Sequence, residues 1–149
     1  MFRGSFDHVI DQKGRVSVPA RFRELILASG SNQIFITRFL IDSSRCLDAY
    51  PAAAWERFEE EFKKQKRFDR SVILFENFYQ GNAQVCEVDA QGRILIPPSL
   101  REWAHITKEV VFSGARDKFR IWDRSAWSHT QTEAEAALHT PEFLSKIDL

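Results

Sequence analysis

Polar and apolar positions alternate at the start of the chain: Phe6, His8 and Ile10 against Asp7, Val9 and Asp11, a period of two that predicts a β-strand. Gln12-Lys13-Gly14 breaks the pattern as a turn, with Gly14 free to take positive φ. Arg15-Val16-Ser17-Val18 alternates again and predicts the returning strand. Pro19 ends that ladder and pre-sets φ for a helix, in which Phe22, Leu25 and Ile26 follow at i, i+3, i+4, with Gly30 as the stop. Ile34-Phe35-Ile36 and Cys46 to Tyr50 predict two further strands. One unit is therefore strand, turn, strand, helix, strand, strand.

The same order is predicted again further along. Val85 to Asp89 and Arg93 to Ile96 are strands around the turn Ala90 to Gly92. Pro97 and Pro98 open a short helix carrying Leu100, Trp103 and Ala104. Val110 to Phe112 and Phe119 to Trp122 are the last strands, with Gly114 expected in the turn between them. The recurrence extends to the residues themselves. Asp11, Gly14, Arg15, Pro19 and Arg23 match Asp89, Gly92, Arg93, Pro97 and Arg101 at an offset of 78, and Leu47 to Trp55 parallels Phe119 to Trp127 at an offset of 72. A self-match at fixed period marks a duplicated fold unit and a pseudo-twofold molecule. The six residues lost between the matches are expected in the connection around residues 38 to 46, because loops change length at little cost.

Between the units Trp55, Phe58 and Phe62 recur on one helical face from Pro51 onward, and the charge run Glu56 to Arg67 covers the rest as a solvated face, with i,i+4 pairs Glu59–Lys63 and Glu60–Lys64 expected. Asp69 to Tyr79 predicts a second helix ended by Gly81, and Asp123 caps a C-terminal helix containing Trp127 before a tail of weak periodicity.

Composition changes this picture only locally. The 149 residues are 44% hydrophobic, enough for a buried core, and most of the 13 Phe and 4 Trp are expected in it. Lys plus Arg equals Asp plus Glu at 21 each, so global charge gives no sign of a nucleic-acid partner. Residues 1–23 nevertheless carry a net +3 and residues 131–149 a net −3. Cys46 and Cys86 form no ligand-spaced set, which predicts two ordinary thiols, no metal and no cofactor. No signal-like apolar segment opens the chain and no run spans a bilayer, so a soluble, cytoplasmic protein without a membrane partner is expected.

The repeated motif carries the chemistry. Asp11 with Arg15, and Asp89 with Arg93, bracket a tight turn, so carboxylate and guanidinium can meet across a hairpin base. Two readings follow: a staple in which Asp orients the turn and Arg pairs with it, or a strand-turn tip that offers Arg15 and Lys13 to an anionic partner. The copies are unequal, since Gln91 replaces Lys13 and Ser99 replaces Arg21. His8, His105, His129 and His139 are scattered and form no hydrolase or metalloprotease motif, and an Arg four residues after each Asp suits an ion pair better than a general acid; no enzyme is expected.

The doubled Asp-x-x-Gly-Arg-x-x-x-Pro-x-x-x-Arg motif, with Met1-Phe2-Arg3-Gly4 and the stretches Lys108 to Val111 and Lys118 to Trp122, resembles the MraZ family over about residues 1 to 130. The resemblance implies an α+β, mainly β fold: two tandem SpoVT-AbrB swapped-hairpin units forming one small intrachain β-barrel with peripheral helices. The units would be residues 5–52 and 83–126, with a helical linker 53–82 and a C-terminal helix and tail 127–149. It also implies a transcriptional regulator that binds promoter direct repeats upstream of the division and cell-wall operon containing its own gene, as a ring-shaped homo-oligomer associated with the nucleoid. Carried over residue by residue, the DNA-facing motif falls on Lys13, Gly14 and Arg15, with Arg93 as the second-copy counterpart and Arg3 and Arg21 as further basic candidates. Asp11, Asp89 and Gly92 are the turn-orienting residues, and Arg23 and Arg101 are equally open to a fold salt bridge or another role. A ring lines weak cationic tips along double-stranded DNA, so linked contacts multiply. The competing reading is a ring-forming scaffold or antitoxin-like protein-binding module whose motif only builds the fold.

Overall fold

The computed structural model describes residues 1–148. The first unit contains β1 (Ser5–Val9), β2 (Arg15–Ser17), α1 (Ala20–Ala28), β3 (Gln33–Ile41) and β4 (Ser44–Pro51). Two linker helices follow, α2 (Ala52–Phe62) and α3 (Arg70–Phe78). The second unit contains β5 (Gln84–Glu87), β6 (Arg93–Leu95), α4 (Pro98–Trp103), β7 (Glu109–Ala115) and β8 (Lys118–Asp123), before α5 (Arg124–Leu138) and α6 (Pro141–Leu144).

Six strands form one antiparallel sheet in the order β1-β7-β8-β4-β3-β5. Reading that order backwards while exchanging the halves gives it again. Each unit's first strand lies against the other unit: β1 pairs with β7, and β5 with β3. The pseudo-dyad passes through Asp48 opposite Arg120 in the β4–β8 ladder, and through Val16 opposite Ile94 in the separate β2–β6 ribbon. The fold is mixed α+β, dominated by strands, but its ladders do not close into the expected barrel. Pro19 and Pro97 follow the ribbon strands closely and have no N–H to extend a ladder, so β2 and β6 pair only with each other over three residues.

The main core lies between sheet, ribbon and α1. Val16, Val18, Ile94 and Ile96 point into it with Phe22, Phe112 and Phe119, all at 1% exposure or less. A second cluster seats the linker: Trp55 stacks on Phe35 and meets Tyr50, Phe58 and Tyr79. On the pseudo-dyad the Asp48 carboxylate, 1% exposed, accepts from Arg120 Nε at 2.8 Å and from the Tyr79 hydroxyl. Tyr50 completes the chain by donating to the Tyr79 oxygen at 2.6 Å. A carboxylate this deep is tolerated because both oxygens are paired.

Several expectations are corrected. The shortening in the second copy does not sit in one loop. β3 and β4 have nine and eight residues against seven and six in β7 and β8, so the first hairpin is longer by two in each arm. Two is the step that leaves every side chain on its own face. The remaining loss of two lies before β7: α4 is three residues shorter than α1, and the connection after it is one residue longer. Gly114 lies in β7 rather than in a turn; a Cβ there would come within 2.4 Å of the Phe2 backbone, so its role is to let the N-terminal segment pass. The linker ion pairs are i,i+3, Glu60–Lys63 and Glu61–Lys64, near the end of α2. α3 stops at Phe78, and Gly81 belongs to a following 3-10 turn. As expected, Asp123 caps α5 through the Ser125 N–H and the helix contains Trp127, which packs on Trp122. Among the described residues no helix is long and apolar enough to cross a membrane.

Candidate functional site

The β2–β6 ribbon has two faces because strands alternate. Val16 and Ile94 point inward, while Arg15, Ser17, Arg93 and Leu95 point out. Arg15 stands opposite Leu95, and Ser17 opposite Arg93. From that register the Arg15 and Arg93 backbones lie roughly 8 Å apart at the two ends of the ribbon.

Each end carries a turn of the same construction. Asp11 accepts the Gly14 N–H on its backbone carbonyl at 3.0 Å, and its Oδ1 takes the N–H groups of Lys13 and Arg15 at 2.9 Å each. The Arg15 Nε then donates to Oδ2 at 2.8 Å. Asp89 holds Gly92, Gln91 and Arg93 in the same way, with a longer 3.4 Å contact to Arg93 Nε. These donors, the Arg15 and Arg93 N–H groups foremost, hold both aspartates below the ordinary carboxylate range. Gly14 and Gly92 take φ +91° and +78°, the left-handed region that the turn requires. The staple reading thus describes Asp11 and Asp89. Arg15 and Arg93 belong to it as well, yet stay partly exposed at 37% and 32%, with donors left over.

The tips differ in one respect. Lys13 is exposed and, among the described residues, has no carboxylate within 4.0 Å. Its counterpart Gln91 instead accepts from Arg93 Nη2 at 2.7 Å and ties that guanidinium to its own turn. Arg21 is exposed on α1 and pairs with Glu24 at 3.0 Å. Arg3 is not brought to the tips. It follows Phe2, which bridges to Arg116 beyond the far end of β1, roughly 20 Å of strand from the turn.

Two residues without an assigned role in the sequence prove to sit at the tips. Arg23 of α1 crosses to the second unit's turn, where a Cβ on Gly92 would fall 2.4 Å from its Nη1. Arg101 of α4 crosses the other way, with Nη1 2.7 Å from the corresponding position on Gly14. The signal was present as an Arg eight residues after each motif Arg, but nothing local says that it reaches the opposite half. Half-buried His8 is held below the usual histidine range, first by burial and then by the Arg23 charge.

The family profile described as "MraZ protein, putative antitoxin-like" matches residues 1–75 and 80–143. A protein named transcriptional regulator MraZ from Desulforapulum autotrophicum is 40% identical over 147 residues, 99% of this chain and 97% of its own length. Proteins of the same name from Syntrophobacter fumaroxidans and Thioalkalivibrio sulfidiphilus are 35% and 38% identical, covering 99% and 89% of this chain and 97% and 87% of their own lengths. With the profile spanning nearly the whole sequence and both copies of the motif, the chain belongs to the MraZ family.

Proposed function

We propose that this chain is a sequence-specific DNA-binding transcriptional regulator, not an enzyme. It acts in the cytoplasm on the nucleoid, on the division and cell-wall operon containing its own gene. The observation that carries the reading is the outward face of the β2–β6 ribbon, where Lys13, Arg15 and Arg93 stand at the ends of a two-stranded antiparallel element. A ribbon of this kind fits the major groove of B-DNA, about 12 Å wide. Arginine or lysine reads guanine O6 and N7 there, and Leu95, 50% exposed beside them, offers the apolar contact that suits a thymine methyl.

In this reading the two SpoVT-AbrB-type units, residues 5–52 and 83–126, act as one DNA-binding body. Asp11, Asp89, Gly14 and Gly92 set the tips, Arg21 is a peripheral phosphate contact, and Arg3 lies outside the surface. One subunit grips weakly. A ring of subunits places identical tips on successive direct repeats spaced near one helical turn, roughly 10 bp. Exposed apolar side chains at and before α3 support assembly: Ile73 and Leu74 are 42% and 51% exposed, and the preceding Phe68 is 88% exposed.

A gel shift with DNA from immediately upstream of the chain's own coding sequence tests the proposal. The wild-type chain retards it in preference to a scrambled duplex, and Arg15→Ala with Arg93→Ala abolishes the shift while folding and assembly persist. If the double variant loses assembly instead, or changes nothing, the motif serves a ring-forming scaffold or protein-binding module.

A further inference from the structure

Gly14 and Gly92 are buried although they sit in turns whose neighbours Lys13 and Gln91 are exposed. What covers them is the opposite half: the Arg101 guanidinium over Gly14 and the Arg23 guanidinium over Gly92. Both arginines are half-buried. Neither has a carboxylate within 4.0 Å nor a side-chain hydrogen bond among the described residues. This reverses what the motif suggests. Arg15 and Arg93 each have an aspartate of their own, whereas the cations left without one at the tips are Lys13, Arg23 and Arg101.

Packing has already fixed and partly dehydrated these two guanidinium groups, so little side-chain freedom remains to be lost on binding. Their position adds one cation to each tip and makes the second tip, otherwise neutral, positive. The second tip, which has Gln91 in place of lysine, receives Arg23 from the first unit, and its Asp89 and Arg93 cancel in charge. Each tip is then a composite of both halves with a surplus of positive charge.

We propose that Arg23 and Arg101 are phosphate-binding residues, each held across the pseudo-dyad to flank the opposite unit's tip on a DNA backbone. The proposal rests on the DNA-binding reading above and extends it to two residues outside the Asp-x-x-Gly-Arg turn. In it Arg15 and Arg93 face bases, while Arg23 and Arg101 straddle the groove edges.

The test uses the full chain with the upstream duplex and a scrambled duplex of equal length. Phenylglyoxal modification, mapped by mass spectrometry with and without DNA, reads each arginine separately. The expected result is several-fold slower modification of Arg15, Arg23 and Arg101 in the complex, with Arg57 unchanged. Protection of Arg15 without Arg23 and Arg101 overturns this proposal and leaves the DNA-binding reading standing. No retardation of either duplex overturns both. Arg23→Gln and Arg101→Gln then separate phosphate contact from shielding. Each variant weakens binding equally on the two duplexes and makes the log–log salt dependence shallower by about 0.9 for each phosphate released. Arg→Lys at either position retains most of the slope. An unchanged slope in the Gln variants, melting as wild type, also overturns the proposal; if they fail to fold, the modification pattern of the wild-type complex decides.

Discussion

Replacing Arg120 with Met should be among the most damaging single changes outside the apolar core. Asp48 is 1% exposed and Arg120 Nε is its cationic donor at 2.8 Å, with the Tyr79 hydroxyl as the other partner. Methionine preserves much of the side-chain volume over Phe39 but leaves a buried carboxylate with one neutral donor. Breaking a buried pair from one side costs roughly 3–5 kcal/mol, and the Tyr79 bond keeps this case near the lower end. A loss of about 3 kcal/mol is a large fraction of the roughly 5–15 kcal/mol that holds a domain folded. For a chain of this length it lowers the melting temperature by roughly 10 °C. Thermal unfolding followed by circular dichroism, at one fixed protein concentration, measures it. Adding Asp48→Leu to Arg120→Met removes the stranded charge, so the double variant should recover at least about 1 kcal/mol relative to the single one. A drop below about 3 °C for Arg120→Met, or a double variant no better than the single, would show that the pair does not behave as a buried one.

Other outcomes follow from the tips. Arg15→Ala should weaken binding to the upstream duplex by about tenfold to a hundredfold with little change in melting temperature, because its ion pair is half exposed and contributes at most about 1 kcal/mol; a large melting shift would make the residue structural. Gly92→Ala should cost about 1–2 kcal/mol from its φ of +78° and push Arg23 aside, and the added methyl should be better tolerated in an Arg23→Ala background, as a double-mutant cycle in urea can measure. Asp11 and Asp89 have folded pKa values below their ordinary value of 3.8, so their stabilisation is complete above that value and vanishes as pH falls through the lowered one. Urea midpoints followed from pH 6 to pH 2 should therefore fall less steeply at the acid end for Asp11→Asn with Asp89→Asn than for the wild type; equal slopes would refute the assignment. If two or three tips each neutralise about two phosphates, log affinity should fall with log salt at a slope of roughly −4 to −5, read by fluorescence anisotropy, and a flat titration would remove the electrostatic basis of the proposed function.

Much of this architecture is legible in the sequence because the duplication is. Alternation placed the strands on either side of each motif turn, though not their pairing, Pro19 and Pro97 placed both helix starts, and the Asp–Arg spacing offered the staple as one of two readings. Partner choice was not legible. β1 buries the same face whether it pairs within its own unit or with β7, so the pattern of apolar residues does not distinguish the two. The same ambiguity hid Arg23 and Arg101, whose contacts lie 69 and 87 residues away in sequence. Gly114 was read as a turn because glycine is common there, whereas a neighbouring backbone, invisible to local pattern, is what excludes a side chain.

The crossed pairing of β1 with β7 and of β3 with β5 bears on how the molecule is made. While a ribosome has delivered only the first unit, β1 and the outer edge of β3 have nothing to close against, and must wait for β7 and β5 of the second unit. Neighbouring ribosomes on one messenger hold identical unfinished halves. A second half supplied by another nascent chain would satisfy those edges with the same bonds, the Asp48–Arg120 match included. Only the tether of α2 and α3 favours the chain's own second half, by keeping it close. Linker length, rather than any contact in the sheet, would therefore govern the balance between closing on the chain's own second half and exchanging it with a neighbour's.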